Sequence, residues 1–304
     1  MLFEVNLGRD FEKLKLANYV VDSKVKAGLV EASKIYPIPD QSGSSFFSSV
    51  DQILSSGSLA FVKGMQSQIS KQLGVAVASV KLAPPVLNPE KIYCAAVNYL
   101  SHSKEQNQSP PTEPYFFTKF RNALIGPEDS VLLPRISKKV DWEVELVVVI
   151  GKRGKNIPKK EAIDYVAGYT ISNDISFRDL QMPEKPNYLG MNWVKGKGLD
   201  TAFPLGPWLV TKDELPDLYG CEISLKVNGI EHQKSKIGDM VFKIDELIEY
   251  LSMDITLAPG DVISTGTPLG VAAFTGVPFL KAGDVLEAQI EGIGVLRNYV
   301  KPSS

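Results

Sequence analysis

Across residues 141–150 (DWEVELVVVI) the chain passes from alternating to unbroken hydrophobic character. Side chains alternate faces in a β-strand, so Glu143 and Glu145 project from one side while Trp142, Val144 and Leu146 take the other. The run that follows is apolar on both faces and predicts a buried strand. Nearer the N-terminus, Val20, Val21, Val25 and Leu29-Val30 predict short strands ended by Pro37 and Pro39. Phe46, Phe47, Val50, Ile53 and Leu54 keep helical spacing up to Gly57, and Leu59, Val62, Met65, Ile69 and Leu73 suggest a second helix. Pro84, Pro85 and Pro89 then forbid a helix or a central strand and predict an extended connector. The expected division is a small α+β domain over 1–82 and a larger domain over 83–304.

In that larger part strands dominate. Residues 91–97, 131–133, 261–264, 285–290 and 295–300 all read as strands. Ile223, Leu225 and Val227 alternate into Asn228-Gly229, the strongest hairpin signal in the chain. Ala162, Ile163, Val166 and Ala167 predict a short helix from Pro158, and Ile244, Leu247, Ile248 and Leu251 form a helical stripe. The pattern predicts an α+β, β-rich chain: a roll or sandwich with a few peripheral helices.

Composition narrows the function classes. The 304 residues are 44% hydrophobic and 22% charged, with a formal charge of -2 and no long basic run. That balance excludes nucleic acid and anionic membrane as expected partners. No apolar run approaches the roughly 20 residues that span a bilayer. Residues 1–7 alternate like a strand and resemble neither a signal nor a transit peptide. The chain is therefore expected to be intracellular and soluble, in the cytoplasm, or in the mitochondrial matrix if a presequence precedes residue 1. Cys94 and Cys221 are the only cysteines, and His102 and His232 the only histidines, so disulfide frameworks and H-E-x-x-H zinc sites are excluded. Phosphate-loop, G-x-S-x-G and dinucleotide signatures are missing, and no organic cofactor is expected.

The remaining chemistry lies in acids and a few partners. Two carboxylates at the start of a buried strand repel each other and lose hydration, which a hard divalent ion between them relieves; a wet sheet face that binds nothing fits the pattern as well. Asp174 ends an apolar strand and supplies a third oxygen ligand or a simple turn cap. His102 and Glu105 are spaced i, i+3 and meet on one helical face, as a proton-transfer pair or as an ordinary surface pair. Lys197, between two glycines, offers charge for an enolate or is a solvated surface lysine. In residues 265–268 (TGTP) the glycine permits close backbone approach and a threonine hydroxyl can donate to a carboxylate; a plain tight turn is the alternative.

Taken in order, N-Y-x-x-H-x-x-E (98–105), D-W-E-V-E-L (141–146), N-D-I-S-x-R-D-x-Q (173–181), G-K-x-x-D-T-x-x-P-L-G-P (196–207) and T-G-T-P-x-G-V (265–271) resemble the fumarylacetoacetate hydrolase family, over about residues 82–300. Residues 105–107, Lys119-Phe120, Gly126-Pro127, Trp142 and residues 240–243 are similar to its domain-containing protein 2 branch. The resemblance implies the family's mixed β-roll and usual homodimer. It implies Glu143, Glu145 and Asp174 as ligands of Mg²⁺, with Mn²⁺ or Ca²⁺ as substitutes. It also implies Arg178, Gln181, Lys197 and Thr267 facing a small keto or dicarboxylic acid, and a His102–Glu105 dyad moving protons or activating water. Acylpyruvase-type members carry an arginine before the Asn-Tyr pair, where this chain has Val97. The branch implies oxaloacetate enol–keto tautomerisation. Acylpyruvate or fumarylpyruvate hydrolysis, oxaloacetate decarboxylation and non-catalytic binding of metal and acid are the alternatives.

Overall fold

Short alternating strands open the chain because their apolar residues serve two separate cores. The computed structural model describes residues 14–69, 73–105, 109–182 and 190–303; the strand-like pattern at 1–7 and residues 106–107 of the branch motif lie outside them. β1 (Lys15–Val21), β2 (Lys24–Glu31) and β3 (Lys34–Pro37) form an antiparallel meander. Leu16 points into the main core, while Ala17 and Tyr19 join a small cluster with Val30 and Ile35 on the other face. α1 (Val50–Ser55), capped by the Ser49 side chain, and α2 (Leu59–Met65) follow. The second helix stops at Met65, and Leu73 is exposed rather than part of its apolar face.

β4 (Val75–Ala76) and β5 (Lys81–Ala83) complete this region, with β5 paired to β1. The proline-rich connector is extended and tied down: Asn18 Nδ2 donates to the Pro84 and Pro85 carbonyls, and Asn18 Oδ1 accepts from Val50 N–H. The boundary drawn at 82/83 falls inside β5, and the sheet runs on across it.

The remaining strands are β6 (Ile92–Ala96), β7 (Tyr115–Lys119), β8 (Leu124–Ile125), β9 (Ser130–Leu133), β10 (Val140–Asp141), β11 (Val144–Ile150), β12 (Val166–Asn173), β13 (Ser176–Phe177), β14 (Phe203–Thr211), β15 (Glu222–Val227), β16 (Ile230–Lys236), β17 (Val262–Ser264), β18 (Val285–Ile290) and β19 (Gly294–Pro302). In the large mixed sheet the order is β4-β3-β2-β1-β14-β12-β11-β17-β6-β7, with β5 beside β1 and β8 beside β14. A second sheet, β16-β15-β18-β19-β9, packs across β11, β12 and β14. β11 sits inside the large sheet between β12 and β17, with the second sheet packed against it, and every residue in it is buried; each large apolar side chain there contributes roughly 1.5–3 kcal/mol relative to exposure.

The β15–β16 hairpin turns at Asn228 and Gly229, both at positive φ as its type requires. α6 (Ile244–Ser252) buries the expected stripe. The helix expected from Pro158 is instead a 3₁₀ segment, Lys159–Tyr165, and Val166 and Ala167 open β12. β-branched Val166 begins a strand that is buried throughout, and that pairing outweighs the helical spacing. The other helices are α3 (Leu100–Glu105), α4 (Arg178–Gln181), α5 (Trp193–Lys197) and α7 (Ala272–Thr275). Among the described residues no helix is long and apolar enough to cross a membrane.

Candidate active site

Strand register assembles the acids. β11 and β12 are antiparallel with Val144 opposite Asn173, so Glu143, one residue before β11, faces Asp174, one residue after β12. Asp174 N–H donates to the Glu143 carbonyl at 2.8 Å, and Glu143 N–H donates to Asn173 Oδ1 at 2.9 Å. Glu145 follows two residues on, toward the same side. All three carboxylates are buried, and an oxygen from each lies within 4.8 Å of the others.

Among the described residues three cations face this cluster. Lys197 Nζ lies 2.8 Å from both Glu143 Oε2 and Asp174 Oδ2. Lys119 Nζ sits 2.7 Å from Asp174 Oδ1 and donates to the Ile175 and Ala202 carbonyls. Arg178 divides its guanidinium between Asp141 Oδ2 (2.8 Å), Glu143 Oε1 (2.5 Å) and Gln181 Oε1 (3.2 Å). Burial opposes the Glu143 charge, but Lys197 and Arg178 outweigh it and lower the pKa to about 2. Burial, then Asp174 and Glu143, push Glu145 well above the usual carboxylate range; its Oε2 accepts from Ser264 Oγ (2.5 Å) and Gly266 N–H (3.0 Å). Burial lowers the Lys119 pKa, whereas for Lys197 the Asp174 and Glu143 charges outweigh burial and raise it. Oxygen donors, repulsion between acids and the cost of ionising Glu145 together suit a hard divalent cation, so the triad is a possible metal site.

His102 and Glu105 meet on α3 as their spacing requires, Nδ1 lying 3.0 Å from Glu105 Oε2. Glu105 Oε1 also accepts from Gly270 N–H at 2.9 Å, and the His102 ring meets Phe274 edge-on at 5.9 Å. The dyad is thus docked on residues 269–274. Between β6 and α3 the chain turns through Val97 at φ +55°, an unfavourable value for a β-branched residue. Asn98 holds that turn: Nδ2 donates to the Thr265 and Phe242 carbonyls, and Oδ1 accepts from Phe242 N–H. Gly270 has φ +106°, and a Cβ there would run into the His232 carbonyl oxygen. Gly270→Ala is therefore expected to lower stability by about 1–3 kcal/mol in denaturant unfolding; an unchanged midpoint would show that the segment yields.

A cavity of about 140 Å³ brings His102, Glu143, Glu145, Arg178, Gln181, Lys197 and Thr267 together. Asp174 lies just behind, joined through Lys197. One expectation fails: neither threonine hydroxyl donates to a carboxylate. Thr265 Oγ1 donates to the Leu146 carbonyl and Thr267 Oγ1 to the Val144 carbonyl, while the backbone N–H of Gly266 reaches Glu145. The turn borders β11, whose Val144 and Leu146 carbonyls take these hydroxyls, the Leu146 carbonyl accepting from Thr265 N–H as well.

Sequence reasoning missed three contributors. Lys119 ends an aromatic strand on the same face as Phe117; apart from the Lys119-Phe120 pair of the branch resemblance, which assigned it no role, that inward alternation was its signal. Asp141 accepts from Trp142, Ala272 and Ala273 N–H as well as from Arg178; it opens the D-W-E-V-E-L motif, which assigned it no role. Gln233 donates to Thr267 Oγ1 and accepts from Val144 N–H, fixing the turn against β11 from across the second sheet.

Residues 91–301 match the family model described as fumarylacetoacetate (FAA) hydrolase, C-terminal. The chain is 48% identical over 224 residues to the mitochondrial oxaloacetate tautomerase FAHD2A of Bos taurus, covering 73% of this chain and 70% of that one. It is 44% identical over 250 residues to the mitochondrial oxaloacetate tautomerase fahd2 of Xenopus laevis, covering 82% and 77%. Among solved structures, a fumarylacetoacetate hydrolase from psychrophilic Exiguobacterium antarcticum superposes with a TM-score of 0.81 at 30% identity, over 95% of this chain and 100% of that one. With the acid triad between β11 and β12 and the β-rich fold shared across nearly the whole length, the chain belongs to the fumarylacetoacetate hydrolase family.

Proposed function

We propose that the chain is an isomerase interconverting the enol and keto forms of oxaloacetate, with Mg²⁺ as its ion and Mn²⁺ or Ca²⁺ as substitutes. The observation that carries this reading is a cavity in which His102, backed by Glu105, meets the Lys197 ammonium and the Glu143 and Glu145 oxygens of the acid cluster. The names of the relatives support it.

Glu143, Glu145 and Asp174 would hold a divalent cation, which would supply Lewis-acid charge to a bound keto acid. The rest falls to side chains. Lys197 places positive charge beside Glu143 and Asp174, where enolate charge develops. Glu105 Oε2 accepts from Nδ1–H of His102, so Nε2 is the nitrogen that takes up and returns the proton. Ketonisation takes one proton from the enol hydroxyl and delivers one to C3. The O–H electron pair becomes the new C=O bond and the C=C pair becomes the new C–H bond, with no water consumed. Of the assigned substrate contacts, Arg178 already holds two acids and Thr267 holds a carbonyl. Gln181 keeps its amide nitrogen against only the Met191 thioether, at 3.9 Å, among the described residues. The proposal extends to the family's homodimer and to the mitochondrial compartment named for the relatives.

Purified protein with Mg²⁺ is expected to accelerate the loss of oxaloacetate enol absorbance, and chelation to abolish the effect. Glu105→Gln should slow it by roughly 10²- to 10⁴-fold while Mn²⁺ binding persists. Decay at the uncatalysed rate would end this reading; release of pyruvate and a free acid from an acylpyruvate would assign C–C hydrolysis, and release of pyruvate and CO₂ from oxaloacetate decarboxylation.

A further inference from the structure

Lys197 ends α5, a helix of five residues. Helices that short have no stability of their own, so the ammonium is placed by whatever α5 leans on. Trp193 opens the helix four residues earlier, and the two side chains share one face. β7 presents the matching face, on which Tyr115, Phe117 and Lys119 alternate to one side.

Both faces meet at Phe117. The Trp193 ring stacks on it with centroids 4.6 Å apart and planes inclined by 11°. Lys197 Nζ lies 5.1 Å from the same Phe117 centroid. On the outer side Tyr115 closes against Trp193 at 6.0 Å. At the inner end, Lys119 and Lys197 take one Asp174 oxygen each. Aromatic contact outside therefore stands opposite two like charges inside, at the two ends of one helix–strand contact.

We propose that Trp193 is a positioning residue for Lys197: its stacking on Phe117 sets the reach of the ammonium to Glu143 and Asp174. This rests on the role assigned to Lys197 above. Moving a reacting group by about 1 Å costs on the order of 10²-fold in rate, and a side chain without a flat ring cannot reproduce the 11° stack.

The test is a cycle of Trp193→Leu, Lys197→Met and the double variant, with Trp193→Phe as the conservative replacement. Trp193→Leu is expected to lower kcat by roughly 10- to 100-fold with KM unchanged within about twofold, and Trp193→Phe to restore most of it. In the Lys197→Met background Trp193→Leu should cost nothing further, because its effect passes through the missing ammonium. A crystal structure of Trp193→Leu should show Nζ out of reach of Asp174. Additive losses, a raised KM at constant kcat, or full activity of Trp193→Leu would overturn the proposal. Should Trp193→Leu fail to fold, Phe117→Leu removes the same stack from the strand side and is read by the same cycle. A wild-type protein inactive on the enol removes the tautomerase reading alone; the position of Nζ in the variant crystal then decides this inference.

Discussion

Replacing Asp174 by Asn is expected to lower the unfolding free energy by about 3–5 kcal/mol, the usual cost of removing one partner from a buried ion pair. Its two oxygens face two ammonium groups, Lys119 at 2.7 Å and Lys197 at 2.8 Å. Lys119 has no exposed side-chain surface, and its other partners are carbonyls of Ile175 and Ala202, which carry no full charge. Neutralising Asp174 leaves both cations without their shared counter-charge. The same change removes one of the three oxygen donors within 4.8 Å, so Mn²⁺ binding measured by calorimetry should fall steeply, and the enol decay rate by at least about 10²-fold. Asp200→Asn is the surface comparison: its side chain is exposed and accepts from Asn122, and the expected change is within about 0.5 kcal/mol. An Asp174→Asn protein with wild-type denaturation midpoint and undiminished Mn²⁺ uptake would refute the ion-pair account and the triad together.

Why these acids could be read from the sequence, and Lys119 could not, is a matter of background. An acid beside an unbroken apolar strand stands out because ionising it there is costly. A lysine at the end of a strand looks like every other solvated lysine, and its identity as a buried cation depends on Asp174, which reaches it only through the folding of β7 near β12. Patterns decided by local chemistry were legible: the Asn228-Gly229 turn needs positive φ at both residues, and the α6 stripe needs only one wet face. Choices settled by competition between distant partners were not. Thr267 had carboxylates within its neighbourhood, yet the Val144 carbonyl lay closer to its hydroxyl. Val166 satisfied a helical spacing, yet the partner strands of β12 claimed it. The pairing of β1 with β14 carries the N-terminal meander into the large sheet, and no pattern within residues 14–31 announces a partner nearly 200 positions away.

Lys197→Met should separate two properties that fall together in most site variants. The ammonium sits 2.8 Å from Glu143 Oε2 and 2.8 Å from Asp174 Oδ2, on two of the three acids that would hold a divalent ion. It thus competes with the ion for charge on the triad, while in turnover it offers charge to the enolate. Removing it takes away repulsion of an incoming cation and leaves the acids with a larger uncompensated charge. The metal-free variant should therefore unfold more easily than wild type. Its gain in Tm on adding saturating Mn²⁺ should be larger, since ligand binding stabilises by RT ln(1 + [L]/Kd), about 2.7 kcal/mol at a hundredfold excess over Kd. Turnover should nevertheless drop by roughly 10²- to 10³-fold, the scale seen when one preorganised donor to a developing oxyanion is lost. Lys195→Met, two residues earlier and exposed on the other side of α5, should change neither property. If Lys197→Met binds Mn²⁺ more weakly than wild type, the ammonium is a scaffold for the triad and not its competitor. If it keeps wild-type turnover, enolate charge is met elsewhere in the cavity.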